Sequence, residues 1–127
     1  MNELLDIIQI EDYADTREIC CGFLEEAKGK INLGYLGLSC LDELKENIKC
    51  NKTNMYIIDG RFPRKKRGII ENLAKEAIEI IKSNHKDAKI VLFSGDDNLK
   101  NTASRFGVEY INKQNYDLLE KKIREIK

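Results

Sequence analysis

Five polar residues stand where apolar runs of the chain end, and their types suit one chemistry. Glu11 and Asp12 follow the run 4–10, Asp59 ends the run 55–59, Ser94 ends 89–94 and Lys113 follows 108–112. Three carboxylates brought together repel one another. A hard divalent cation such as Mg²⁺ relieves that repulsion through oxygen ligands while keeping several of its waters. A carboxylate beside such a metal can attack a phosphorus centre and form an acyl phosphate. The metal, an ammonium group and a hydroxyl donor would then neutralise the equatorial oxygens of the transferring group.

That chemistry requires a scaffold that delivers all five to one rim, and the hydrophobic pattern supplies one. Apolar runs of strand length alternate five times with segments of helical period. The first run is followed by Ile19, Cys20, Phe23, Leu24 and Ala27, one helical face that stops near Gly29. A second strand is expected over 31–38, interrupted by two glycines. Ser39 is placed to cap the next helix, with Leu41, Leu44 and Ile48 on its stripe and Asp42 at the third position. After 55–59 come Gly60-Arg-Phe-Pro63 and a basic stretch. Ile69, Ile70, Leu73, Ala74, Ala77, Ile78 and Ile81 then read as one amphipathic helix. Asp96 and Asp97 are placed to cap a short helix carrying Leu99, Ala103 and Phe106, and Leu118, Leu119, Ile123 and Ile126 mark the last helix.

Runs three and four are apolar throughout, as strands buried on both faces of a parallel sheet must be. Strict β-α alternation with short loops predicts an α/β three-layer sandwich, a five-stranded parallel sheet in the flavodoxin-like order 2-1-3-4-5. Ligands of such sheets bind at the carboxyl ends of the strands where the order reverses, between strands one and three. Glu11, Asp12, Asp59, Ser94 and Lys113 are all delivered to that rim.

The segments bearing these residues resemble those of bacterial response-regulator receiver domains of two-component signalling. IIQIEDYADTRE is similar to their opening strand with its paired acids. MYIIDGRFP resembles the phosphoacceptor strand, with Pro63 four positions after Asp59. IVLFSG resembles the fourth strand ending in a hydroxyl residue, and EYINK the fifth, with an aromatic three positions before the lysine. The resemblance runs from about residue 4 to 126. It implies that Asp59 accepts the phosphoryl group and that Glu11, Asp12, Asp59 and the backbone carbonyl of Arg61 hold Mg²⁺. It further implies that Lys113 pairs with the phosphoryl group, that Ser94 bonds it, and that Tyr110 turns inward as the switch. The implied protein is a signalling phosphoacceptor rather than an enzyme, able to phosphorylate itself from small donors and to dephosphorylate. Its implied partners are a histidine kinase or phosphotransfer protein and a downstream protein target; self-association through the fourth and fifth helices stays open.

Some positions depart from that pattern. Gln114 follows Lys113 where the family usually has Pro, Gly95 replaces the commoner Ala, and Arg64-Lys65-Lys66-Arg67 lengthens the turn after Pro63. Gln114 and the altered turn after Pro63 support a second reading, a pseudo-receiver kept as a phosphorylation-independent interaction module, which the retained Asp59, Ser94 and Lys113 oppose. A phosphatase of the aspartyl-phosphate type would carry an acid two positions after the nucleophile, where this chain has Arg61. Singly, each feature has an ordinary explanation: acids at a strand end cap helices, Asp15 is itself placed to cap the first helix, and RKKR can be a solvated loop or a docking or donor-attracting patch.

Composition sets the outer bounds. The 127 residues suit one domain, 1–127, without an effector domain, so that output would pass through protein contacts or phosphate relay. Lys+Arg and Asp+Glu both number 22, so no bulk attraction to nucleic acid or anionic membrane is expected. No stretch reaches the roughly 18–20 apolar residues of a membrane span. The N-terminus lacks a basic n-region and a cleavage site, so the cytoplasm is the expected location. The four cysteines have no zinc-like spacing and are expected as small apolar residues of helix faces; His85 is expected in a solvated polar turn.

Overall fold

Successive residues of a strand point to opposite faces, so an unbroken apolar run needs cover on both sides. The computed structural model, which describes residues 3–29 and 34–126, supplies that cover. The strands are β1 (Glu3–Ile10), β2 (Tyr35–Leu38), β3 (Asn51–Ile58), a short pair β4 (Phe62–Pro63) and β5 (Ile70–Glu71), then β6 (Ile90–Ser94) and β7 (Glu109–Asn112). The helices are α1 (Ala14–Lys28), α2 (Leu41–Asn47), α3 (Ala74–Asn84), α4 (Leu99–Phe106) and α5 (Tyr116–Arg124). One parallel sheet runs β2-β1-β3-β6-β7, the order 2-1-3-4-5 expected of a flavodoxin-like α/β sandwich.

The two faces bury different halves of the same strands. Ile8, Ile10, Tyr56, Ile58 and Leu92 pack with Leu41, Leu44, Ala77, Ile78 and Ala103, under α2, α3 and α4. Ile7, Met55, Ile57, Val91 and Phe93 pack with Cys20, Leu24, Leu119 and Ile123, under α1 and α5. Each fully buried aliphatic side chain of this kind stabilises the fold by about 1.5–3 kcal/mol relative to exposure.

Several boundaries differ from expectation for identifiable reasons. The third helix begins at Ala74, not Ile69. Ile69 and Ile70 are instead exposed, because 70–71 pairs antiparallel with Phe62–Pro63 and builds a hairpin where a loop was expected. Phe62 inserts into the core and pins that hairpin. The second strand is observed over Tyr35–Leu38; residues 31–33 of the expected run lie outside the described residues. Ser39 does not cap α2 as expected. Its N–H and hydroxyl both donate to the Glu43 carboxylate at 2.7 Å, the helix's reach-back acid rather than Asp42. Asp15 lies in the first turn of α1 without a capping bond, and Ile19, expected on the buried face, is exposed.

His85 also departs from its expected solvated turn. Its Nε2 lies 3.0 Å from the Ile48 carbonyl oxygen and its ring stacks on Tyr56 at 6.4 Å, joining the ends of α2 and α3. Cys20 and Cys40 are buried, Cys21 is half-buried and Cys50 is exposed in the turn after α2, off any helix face. Burial pushes the Cys20 thiol up to about 12, which keeps it an unreactive thiol. Among the described residues, no helix is long and apolar enough to cross a membrane.

Candidate functional site

The acidic rim forms because β1 and β3 are neighbours in register, with Ile10 opposite Ile58. The residue after each strand therefore emerges at the same level, and the Asp59 N–H donates to the Ile10 carbonyl at 3.0 Å. Glu11 is 2% exposed and turns its carboxylate back under the loop, where Oε2 accepts from the Tyr13 N–H at 3.1 Å. Lys113 reaches over from the end of β7. Its Nζ lies 2.7 Å from Glu11 Oε1 and 3.2 Å from Asp59 Oδ1, so one ammonium bridges both acids.

The electrostatics follow from that bridge. Burial and the nearby Asp59 charge push the Glu11 carboxyl above its ordinary value, against the lowering influence of Lys113. The Lys113 ammonium is in turn held above its ordinary value by Glu11 and Asp59, which outweigh its own desolvation. Asp59 Oδ1 also accepts from the Gly60 N–H at 2.6 Å. Among the described residues both side-chain contacts of Asp59 fall on Oδ1, which leaves Oδ2 as the oxygen available to a ligand.

The structure brings Glu11, Asp59 and Lys113 into direct contact and leaves the other expected residues around them. Asp12 and Arg61 are exposed. Asp12 gives its backbone carbonyl to Arg17, whose guanidinium also holds the Glu11 carbonyl. Ser94 is buried at the end of β6, where its hydroxyl accepts from the Asp96 N–H at 3.1 Å. Gly60 passes so close that a Cβ there would lie 2.8 Å from Ser94 Oγ and 2.3 Å from Leu99 Cδ1, so any side chain at this position would have to displace Leu99 and Ser94. The Tyr110 hydroxyl lies 2.9 Å from the Ser94 carbonyl oxygen and 3.1 Å from Asp97 Oδ1, so its one proton is shared between the two acceptors.

Three partners escaped the sequence reading. Asp97 does not cap α4. It gathers Asn112 (3.1 Å), Tyr110 and Lys100 (3.8 Å), which hold its carboxyl below its ordinary value, while Asp96 Oδ1 takes the Asn98 N–H at 2.9 Å. Leu99 covers Gly60, and Arg17 ties the acidic loop to α1. The only sequence signal for these was proximity to a strand end, which α4 and α1 share with many residues.

Whether the rim suits a divalent cation can be judged from its donors. Among the described residues, no group of three or more His, Cys, Asp or Glu side chains is gathered closely enough to hold a metal ion. The donors at the rim are nevertheless all oxygens, and Glu11 and Asp59 repel one another. An exposed third acid, Asp12, stands beside them. Mg²⁺ needs only one or two carboxylates with its retained waters, so the donor set fits it.

No protein-family model matches the chain, and no curated protein sequence does. Solved structures do. A CheY-like response regulator receiver domain protein from Methanospirillum hungatei JF-1 aligns with a TM-score of 0.74 at 21% identity, covering 98% of this chain and 94% of its own. The response regulator TrrA from Thermotoga maritima, solved in complex with Mg²⁺-BeF, aligns at 0.73 and 24% identity, covering 97% of this chain and 99% of its own. The BeF3-activated DrrB receiver domain aligns at 0.70 and 12% identity over 98% and 97%. The chain has the fold of receiver domains.

Proposed function

We propose that the chain is a receiver domain of two-component signalling, spanning 1–127, in which Asp59 accepts a phosphoryl group with Mg²⁺ bound. The observation that carries this reading is the trio Glu11, Asp59 and Lys113 at the reversal of strand order, with Asp59 Oδ2 uncommitted. In this mechanism Oδ2 attacks the phosphorus of a phosphohistidine on a histidine kinase or phosphotransfer protein. The new P–O bond forms as the donor P–N bond breaks, and the departing imidazole nitrogen keeps the electron pair and takes up a proton.

Glu11 and Asp12 would hold Mg²⁺ together with Asp59 and the Arg61 carbonyl, and the bound metal would supply neutralisation of the phosphoryl oxygens. Lys113 would turn from Glu11 toward the same oxygens. Ser94 would release the Asp96 N–H to donate its hydroxyl to them. The Tyr110 hydroxyl hangs on the Ser94 carbonyl, so that movement would be felt by α4 and β7. Output would pass through protein contacts in the cytoplasm.

Incubation with Mg²⁺ and acetyl phosphate should add one phosphoryl group by mass, and Asp59→Asn should abolish it. An undiminished adduct on Asp59→Asn would refute the assignment. One observation favours a second reading, a pseudo-receiver: Lys113 sits closer to Glu11 than to Asp59 and already offsets one of the two negative charges that a metal ion would otherwise balance. Calorimetry separates the two, since absence of Mg²⁺ binding near millimolar would favour the pseudo-receiver.

A further inference from the structure

Four large hydrophobic side chains are exposed among the described residues, and they fall in two pairs of opposite electrostatic setting. Ile69 (78% exposed) and Ile70 (43%) sit on the β4–β5 hairpin beside Lys65, Lys66 and Arg67, all exposed and without an ion pair. Tyr13 (69%) and Ile19 (41%) sit at the start of α1 beside Asp12, Asp15 and Glu18, likewise exposed and unpaired. The one cation within this acidic patch, Arg17, is committed to the carbonyl oxygens of Glu11 and Asp12.

The hairpin is held rigid. Phe62 is fully buried, and Arg64 makes a two-pronged bond to Glu76 at 2.9 and 3.0 Å while its carbonyl accepts from the Asp42 N–H. The turn closes through the Gly68 N–H and the Lys65 carbonyl at 2.8 Å, with Arg67 at φ 65°. A non-glycine residue in this left-handed region costs about 1 kcal/mol, and such strain persists where the surroundings over-determine it. The arm is thus preorganised, which lowers the entropy cost of docking.

The geometry points to a second copy of this chain as the occupant: the basic, isoleucine-tipped arm of one copy docks on the acidic start of α1 of another, where Tyr13 and Ile19 are exposed. Charge and apolar surface match on both sides, which a phosphate backbone would not offer to the two isoleucines. The two patches border the carboxyl ends of β1 and β3, so a mutual exchange of arms closes a two-fold dimer. That contact would lie across the Asp59 rim, and it rests on exposure and charge alone, independent of phosphate chemistry.

Sedimentation velocity of the whole chain tests this. At low ionic strength the chain should dimerise with a dissociation constant on the order of 100 µM, weakening about tenfold when salt is raised enough to screen exposed charges. K65E/K66E and D15K/E18K should each lose association at least about tenfold, because like charges then face each other. An equimolar mixture of the two variants should regain it, since each reversed patch then meets its complement. Circular dichroism of each variant checks folding, and Ile69→Ser provides a neutral variant that should also weaken the dimer. A monomeric wild-type chain at low salt, variants that associate like wild type, or a mixture that stays monomeric would each overturn the proposal. A monomer that binds a short DNA duplex through the arm would reassign it to nucleic acid.

Discussion

Replacing Lys113 with Met removes the one ammonium that bridges Glu11 and Asp59 while keeping the side chain's length. Glu11 is then a buried carboxylate whose remaining side-chain bond is the Tyr13 N–H, beside a second carboxylate. Breaking a fully buried pair by removing one partner costs about 3–5 kcal/mol. Lys113 is 27% exposed and Asp59 12%, so water screens part of this, and a loss of about 1–3 kcal/mol is expected at neutral pH. For a domain of this size that lowers Tm by roughly 3–12 °C. The sign with pH is defined. Glu11 already sits above its ordinary value in the folded chain, so its contribution to folding is fully present below the unfolded value and is lost as pH rises through the folded one. Removing Lys113 takes away the influences that lower it and raises it further, so the deficit of the variant should shrink as pH falls toward about 5. Thermal melts across this range measure it, and millimolar Mg²⁺ should restore more stability to the variant than to wild type. Adding Glu11→Gln to the variant should recover part of the loss. A deficit that is flat with pH, or a variant as stable as wild type, would refute the bridge as described.

Gly60→Ala would place a Cβ against Leu99 and Ser94 and should cost about 1–2 kcal/mol in urea unfolding as Leu99 swings out. Tyr110→Phe keeps the ring but loses the bonds to Ser94 and Asp97; the expected cost is about 0.5–1 kcal/mol, with faster amide exchange at 96–100. His85→Ala removes the tie to Ile48 and the stack on Tyr56, and about 1 kcal/mol should be lost in thermal unfolding.

What could be read from the residues alone was whatever repeats along the chain or sits next to a repeat. The β-α alternation and the unbroken apolar runs demanded a parallel sheet covered on both faces, because an apolar strand face cannot be left in water. Strand order followed from the handedness of crossovers, and with it the convergence of Glu11, Asp59 and Lys113, each one residue past a strand. Contacts between residues that no period relates were decided only in three dimensions. The bridging of two acids by Lys113, the approach of Gly60 to Leu99, and the capture of Tyr110 by Asp97 depend on groups from different elements meeting at the same rim of the sheet. The hairpin shows the limit most sharply. Ile69 and Ile70 extend the helical pattern of Leu73 to Ile81, yet with Phe62 buried and Arg64 clamped on Glu76 they lie on a hairpin and face solvent, Ile70 in its second strand. Local periodicity carries no record of that competition, because its winner is chosen by packing with distant parts of the chain.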